Sequence, residues 1–111
     1  MDEVLENLDV LLDNPEILGR ATPDEWYKLL KQSGYYVKPL GKGNFGRVPY
    51  TDGGGYRVNW NGKGGACILQ YHPEERSHHV GAYYKIGNGV IGKKWFKLDG
   101  TPLTRSDLNE D

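Results

Sequence analysis

From Tyr56 onward, apolar and polar residues alternate in short runs closed by glycine or asparagine, and this period-two pattern constrains the fold more than any other feature. A strand turns successive side chains to opposite faces, so such runs build a sheet with one face to bury and one to leave open. The runs predict strands at about 56–61, 66–72, 79–86 and 93–98, with a short partner near 101–104. Asn61-Gly62, Gly64-Gly65, Gly87-Asn88-Gly89 and Asp99-Gly100 supply tight turns. Connections this short make consecutive strands antiparallel neighbours, which is a meander.

The N-terminal third has a different period. Val4, Leu5, Leu8, Leu11 and Leu12 fall at helical spacing with most of the acids on the other side, which predicts an amphipathic helix over roughly 2–13. Asn14-Pro15 ends it, because a residue before proline avoids the α region. Thr22-Pro23-Asp24-Glu25 is a capping box with proline at the first helical position, and it predicts a second helix over about 23–33. Trp26, Leu29 and Leu30 form its inner face, and Ser33-Gly34 closes it. Tyr35 to Lys38 reads as a short strand, and Pro39 to Gly55 as a glycine-rich connector. Its Lys42-Gly43-Asn44-Phe45-Gly46-Arg47 stretch lacks the G-K-[ST] of a phosphate loop. The fold class expected is α+β: two N-terminal helices packed on one face of a four- to five-stranded antiparallel meander. The divisions are an acidic N-terminal helix at 1–14, a single α+β domain at 15–104 and an acidic tail at 105–111.

With 111 residues the chain buries one core. It has no apolar run near the ~20 residues of a membrane helix, and no secretory signal is visible, so no membrane partner is expected. A lone cysteine, Cys67, rules out an internal disulfide and a multi-cysteine zinc site. The net charge of −1 hides a segregation. Residues 1–27 carry eight acids against Arg20, residues 28–97 carry twelve bases against three acids, and residues 98–111 carry four acids against Arg105. The net +9 of the middle block, rich in aromatics, is the footprint of a polyanion-binding surface.

Sorting each strand by alternation separates a core face from an open one. Tyr56, Val58 and Trp60, then Cys67, Leu69 and Tyr71, then Val80, Ala82, Tyr84 and Ile86, then Phe96 and Leu98 share the core side. Tyr35, Tyr36, Tyr56 and Trp60 are read as core aromatics, and Cys67 as inert packing. The open face collects Arg57, Asn59, Gln70, His72, His79, Tyr83, Lys85, Trp95 and Lys97. Cations, amides and an aromatic in that pattern suit phosphate contacts and base stacking. A one-residue slip in any strand would reverse its share.

All three histidines lie between His72 and His79. Imidazole titrates near neutrality, so His72 and His79 in opposite protonation states can act as general base and acid. A ribose 2′-hydroxyl attacking its own phosphodiester needs that pair and a cation, here Lys85, with Tyr83 donating to a phosphate oxygen and no metal or other cofactor. Arg57, Asn59, Gln70, His78, Trp95 and Lys97 are the candidate substrate contacts. The plainer alternatives are a His72 that merely ends a strand before Pro73, and Glu74 and Glu75 solvated in a turn.

Three runs carry a family resemblance: Asp52-Gly53-Gly54-Gly55-Tyr56-Arg57-Val58-Asn59-Trp60, Ile68-Leu69-Gln70-Tyr71-His72-Pro73, and Ser77-His78-His79-Val80-Gly81-Ala82-Tyr83-Tyr84-Lys85-Ile86. They resemble toxin domains of bacterial polymorphic toxins, which also occur on phage structural proteins. The element order resembles the barnase–EndoU–colicin–RelE class of metal-independent ribonucleases, over roughly residues 14–104. The resemblance implies an endoribonuclease, a toxin or phage effector acting on RNA in the cytoplasm of a target or host cell. Its partners would be RNA and a cognate immunity protein or a host protein target, and the chain would be a monomer or small oligomer. The family reading places catalytic roles on His72, His79 and Lys85. The alternative is a non-catalytic phage-encoded inhibitor or binding module that engages a host protein or nucleic acid through the same basic face.

Overall fold

The computed structural model describes residues 8–41, 47–62, 64–73, 81–104 and 106–107. Helix α1 spans Asp9–Asp13 and stops at Asn14, as Pro15 requires. Residues 2–7 of the expected helix lie outside the described residues. A 3₁₀ helix at Pro15–Arg20 follows, which the sequence reading did not contain. Pro15 ends one helix but has the backbone angle to open the next, and six residues are too few to show a period.

Helix α2 spans Pro23–Gln32 and is capped as its sequence predicts. Thr22 Oγ1 accepts from the Glu25 N–H at 3.1 Å, and the Thr22 N–H donates to Glu25 Oε1 at 2.9 Å. The chain leaves the helix through Ser33 and a left-handed Gly34.

The five strands are β1 (Tyr56–Gly62), β2 (Gly65–His72), β3 (Tyr83–Asn88), β4 (Gly92–Lys97) and β5 (Pro102–Leu103). They pair antiparallel in sequence order, so the sheet is a meander. The third strand begins at Tyr83 rather than at 79. Gly81 takes a left-handed conformation, which breaks the extended chain before it reaches the sheet. The strand also runs on to Asn88, so Gly87 and Asn88 belong to the ladder rather than to the turn. Asn88 is buried and its Oδ1 accepts the N–H groups of Val90 and Ile91, both at 2.8 Å, which closes the hairpin from inside. Residues 35–38 form no full strand; Lys38 alone bridges to Arg57.

Register decides what each face contains. Tyr56, Tyr71, Tyr84, Phe96 and Pro102 stand opposite one another across all five strands, and Val58, Leu69 and Ile86 form the next row. Tyr56, Val58, Leu69, Tyr84, Ile86 and Phe96 join Leu8, Leu11, Leu12, Leu18, Trp26 and Leu30 in one buried cluster with Tyr71 packed against it, so the helical segments share a core with a single sheet face. Two hydrogen bonds tie helix ends to β1: Tyr56 Oη donates to the Pro23 carbonyl at 2.8 Å, and Trp60 Nε1 donates to Asp9 Oδ1 at 3.0 Å. The buried Trp26 indole is satisfied by the Leu18 carbonyl at 2.8 Å. The 3₁₀ helix presses on the β4–β5 turn so closely that a side chain at Gly19 would collide with the Asp99 carbonyl.

Tyr36 departs from the expected core assignment. It is 76% exposed, whereas Tyr56 is buried and Tyr35 and Trp60 pack against the core. Two consecutive tyrosines in an extended segment cannot both turn inward.

The capping box gives a direct test. Thr22→Ala removes one acceptor for the orphan N–H groups of α2 and is expected to cost about 1 kcal/mol of stability, read from the denaturant midpoint.

Candidate functional site: the open sheet face

The face turned away from the helices is organised by the same register. Arg57, Gln70, Lys85, Trp95 and Leu103 make one row across the strands. Asn59, Ile68, Gly87 and Lys93 lie to one side, and His72, Tyr83 and Lys97 to the other. Neighbouring strands are about 4.8 Å apart, so the row brings side chains distant in sequence within reach of one another. None of the five strands contains Asp or Glu, while Arg57, Lys85, Lys93 and Lys97 all face this side. The acids of α1 and α2 belong to the helical layer across the sheet. Among the described residues, these strand cations thus face away from the acids of α1 and α2.

Two groups on this face are held in place. Arg57 Nε donates to the Pro39 carbonyl at 3.0 Å, and its Nη1 donates to Asn59 Oδ1 at 3.4 Å. The His72 ring stacks on Tyr83 with centroids 4.7 Å apart and planes within 6°. His72 Nε2 is 2.8 Å from Gln70 Oε1. With that oxygen as acceptor, Nε2 carries the hydrogen and Nδ1 is the basic nitrogen of the neutral ring. Lys85 stands opposite Gln70 and diagonal to His72, about 7 Å away between Cβ atoms.

Tyr83 differs from its expected role as an exposed phosphate donor. It is 9% exposed, packed with Leu103 and Trp95, and its ring is the platform under His72. Trp95 is half-buried in the same small apolar group. His72, Lys85, Tyr83, Arg57, Asn59, Gln70, Trp95 and Lys97 therefore share one face. His78 and His79, together with Glu74 and Glu75, lie outside the described residues. Among the described residues, no three His, Cys, Asp or Glu side chains gather as a metal site, and no helix is long and apolar enough to cross a membrane.

On the helical side lies a feature that the sequence reading missed. Tyr27, Tyr50, Tyr56, Tyr71 and Tyr84 form a connected aromatic cluster with ring centroids 4.4–6.1 Å apart. Tyr27, Tyr50 and Tyr71, with Asp24, line a cleft of about 740 Å³. These tyrosines come from α2, a 3₁₀ turn at Tyr50–Asp52 and three strands, so no local spacing announces them. Asp24 accepts from Lys28 at 3.0 Å and from Tyr50 Oη at 3.1 Å, and both hold its carboxyl below its usual range. Burial, then the Asp24 hydrogen bond, pushes the Tyr50 phenol up to about 12. Burial also raises Tyr56 and Tyr84, whose hydroxyl is buried with no partner among the described residues.

No family model, curated protein or solved structure matches this chain.

The tyrosine cluster predicts a pH dependence. Unfolded phenols ionise near 10, while Tyr50, Tyr56 and Tyr84 keep their protons longer in the fold, so the folded state binds more protons above that pH. The melting temperature is expected to be insensitive to these groups below pH 10 and to fall from about 10 upward. Phenolate absorbance should show a late-titrating fraction that disappears when the protein is unfolded.

Proposed function

We propose that the chain is a metal-independent endoribonuclease that holds RNA on the open face of its sheet. The observation that carries this reading is the His72 imidazole, held by Tyr83 and Gln70 on a face whose strands carry cations and no Asp or Glu. In the proposed reaction a base takes the proton of a ribose 2′-hydroxyl. O2′ bonds to phosphorus and the bond to the 5′-oxygen breaks. An acid protonates that oxygen, leaving a 2′,3′-cyclic phosphate and a 5′-hydroxyl.

His72 Nδ1 is suited to one of the two proton transfers, and an imidazole can serve either role at neutral pH. Lys85 is near enough to meet the charge that builds on the phosphoryl oxygens. Tyr83 and Gln70 act as positioning residues for the ring. Arg57, Asn59, Lys97 and Trp95 bind the flanking phosphates and bases. His79, with His78 nearby in sequence, is the proposed second proton carrier on sequence grounds alone. The resemblance to toxin nuclease domains supports the same reading, with cytoplasmic RNA as substrate and an immunity protein as the natural partner.

A second reading is a non-catalytic module, such as a phage-encoded inhibitor, that grips host nucleic acid or protein. It is favoured by one observation: His72 is the only imidazole on the face among the described residues.

Total RNA incubated with the protein in EDTA separates the readings. The nuclease reading expects discrete fragments ending in cyclic phosphate, and a rate about 10²- to 10⁴-fold lower in His72→Gln with an unchanged melting curve. Intact RNA with a salt-dependent gel shift contradicts cleavage and supports the module. Neither cutting nor shifting points to a protein partner.

A further inference from the structure

The open face does not end at β1. Lys38 and Arg57 exchange backbone hydrogen bonds, with Lys38 N–H donating to the Arg57 carbonyl at 3.0 Å and Arg57 N–H to the Lys38 carbonyl at 2.7 Å. Residues directly opposite in such a pair put their side chains on the same side of the sheet. Arg57 is on the open face, so Lys38 is too. Tyr36, two residues earlier, joins it, because Lys38 Nζ lies over the Tyr36 ring at 5.4 Å from its centroid.

The central row therefore reads Lys38, Arg57, Gln70, Lys85, Trp95. Its four interstrand steps span about 19 Å. Lys38, Arg57 and Lys85 supply cations along this lane; Trp95 stands towards one end, and Tyr36, two residues before Lys38, stands beside the other. The two ends differ: Trp95 is half-buried against Tyr83 and Leu103, whereas Tyr36 presents its ring to solvent apart from the lysine beside it. Of the large hydrophobic side chains among the described residues, Tyr36 is the most exposed. A ring left open beside a cation offers a stacking surface together with a phosphate contact.

We infer that Tyr36 and Lys38 form an outer subsite of this face, where Tyr36 stacks on an unpaired base and Lys38 meets its phosphate, and that the nucleic acid taken is single-stranded RNA lying across the strands. The inference rests on the RNA-binding reading above and adds the strandedness and path of the substrate. Strandedness follows from the geometry of stacking. In an A-form duplex the base faces are covered by neighbouring base pairs and the edges lie in the grooves, so a side-chain ring finds no face to stack on. A single strand exposes both face and phosphate at each step.

The test is fluorescence anisotropy at low salt with a labelled 2′-O-methyl oligonucleotide, which lacks the attacking hydroxyl and is not cut. It is run single-stranded and annealed to its complement. The expected result is tighter binding of the single strand, weakened about 5- to 150-fold by Tyr36→Ala and restored by Tyr36→Phe. Duplex binding should be indifferent to Tyr36. Lys38→Ala is expected to lower the slope of log affinity against log salt by about one. Because Tyr36 is exposed, the melting curve of Tyr36→Ala should match that of the parent. If the parent binds but Tyr36→Ala changes nothing, or if the duplex binds as tightly, the outer subsite is wrong and the RNA-binding reading stands. If the parent binds neither strand nor duplex, both fall together.

Discussion

The antiparallel register of β1 to β4 is the constraint on which the rest depends. Side chains alternate with a period of two, so one residue of slip would exchange the aromatic row Tyr56–Tyr71–Tyr84–Phe96 with the polar row Arg57–Gln70–Lys85–Trp95. That exchange would place a guanidinium, an amide and an ammonium against the leucines of the helical layer. The cost of burying an uncompensated charge holds the register as firmly as the gain from burying rings. Specific bonds add to this. The Tyr56 hydroxyl reaches Pro23 and the Trp60 indole reaches Asp9, so β1 is pinned to the start of both α-helices. Asn88 does the same for the β3–β4 hairpin from within the core.

Charge follows from that arrangement. Among the described residues, the acids of α1 and α2 lie in the helical layer and the strand cations lie largely on the open face. Separation on this scale creates a field that neither block would have if mixed, and that field is what motivates the proposal of an extended polyanion as partner. Within the field, His72 is held by a stacked ring and a hydrogen bond rather than swinging freely. An imidazole held this way with a cation nearby suits one of the two proton transfers at phosphorus, which is why the proposed cleavage is assigned to this face rather than to the tyrosine cleft. The cleft has rings and a paired carboxylate, but its phenols are pushed towards staying protonated.

Much of this was legible in the residues because the signals are local. The Thr22 capping box, the glycine turns and the alternation in Tyr56–Trp60 and Cys67–His72 each need only a few adjacent positions to be read. Face sorting then followed from parity, and the open-face residues within the described strands stand together as parity requires. What was missed depends on distance or on one backbone angle. The left-handed Gly81 moved the start of β3. Pro15 opened a short 3₁₀ helix as well as closing α1. The burial of Tyr83 depends on Leu103 and Trp95, which approach only after two further turns of chain. The exposure of Tyr36 could not be told from that of Tyr35 by composition, and the tyrosine cleft assembles residues from Asp24 to Leu98.

The three tryptophans provide a built-in map of the central claim. Trp95 stands on the open face, Trp60 on the core side bound to Asp9, and Trp26 inside the core. Titrating ¹⁵N-labelled protein with a non-cleavable single-stranded RNA and following the three indole N–H signals reads binding on each side at once. Binding on the open face requires the Trp95 signal to move while those of Trp26 and Trp60 stay. Movement of Trp60 or Trp26 with Trp95 unmoved would put the ligand on the other side of the sheet and contradict the account.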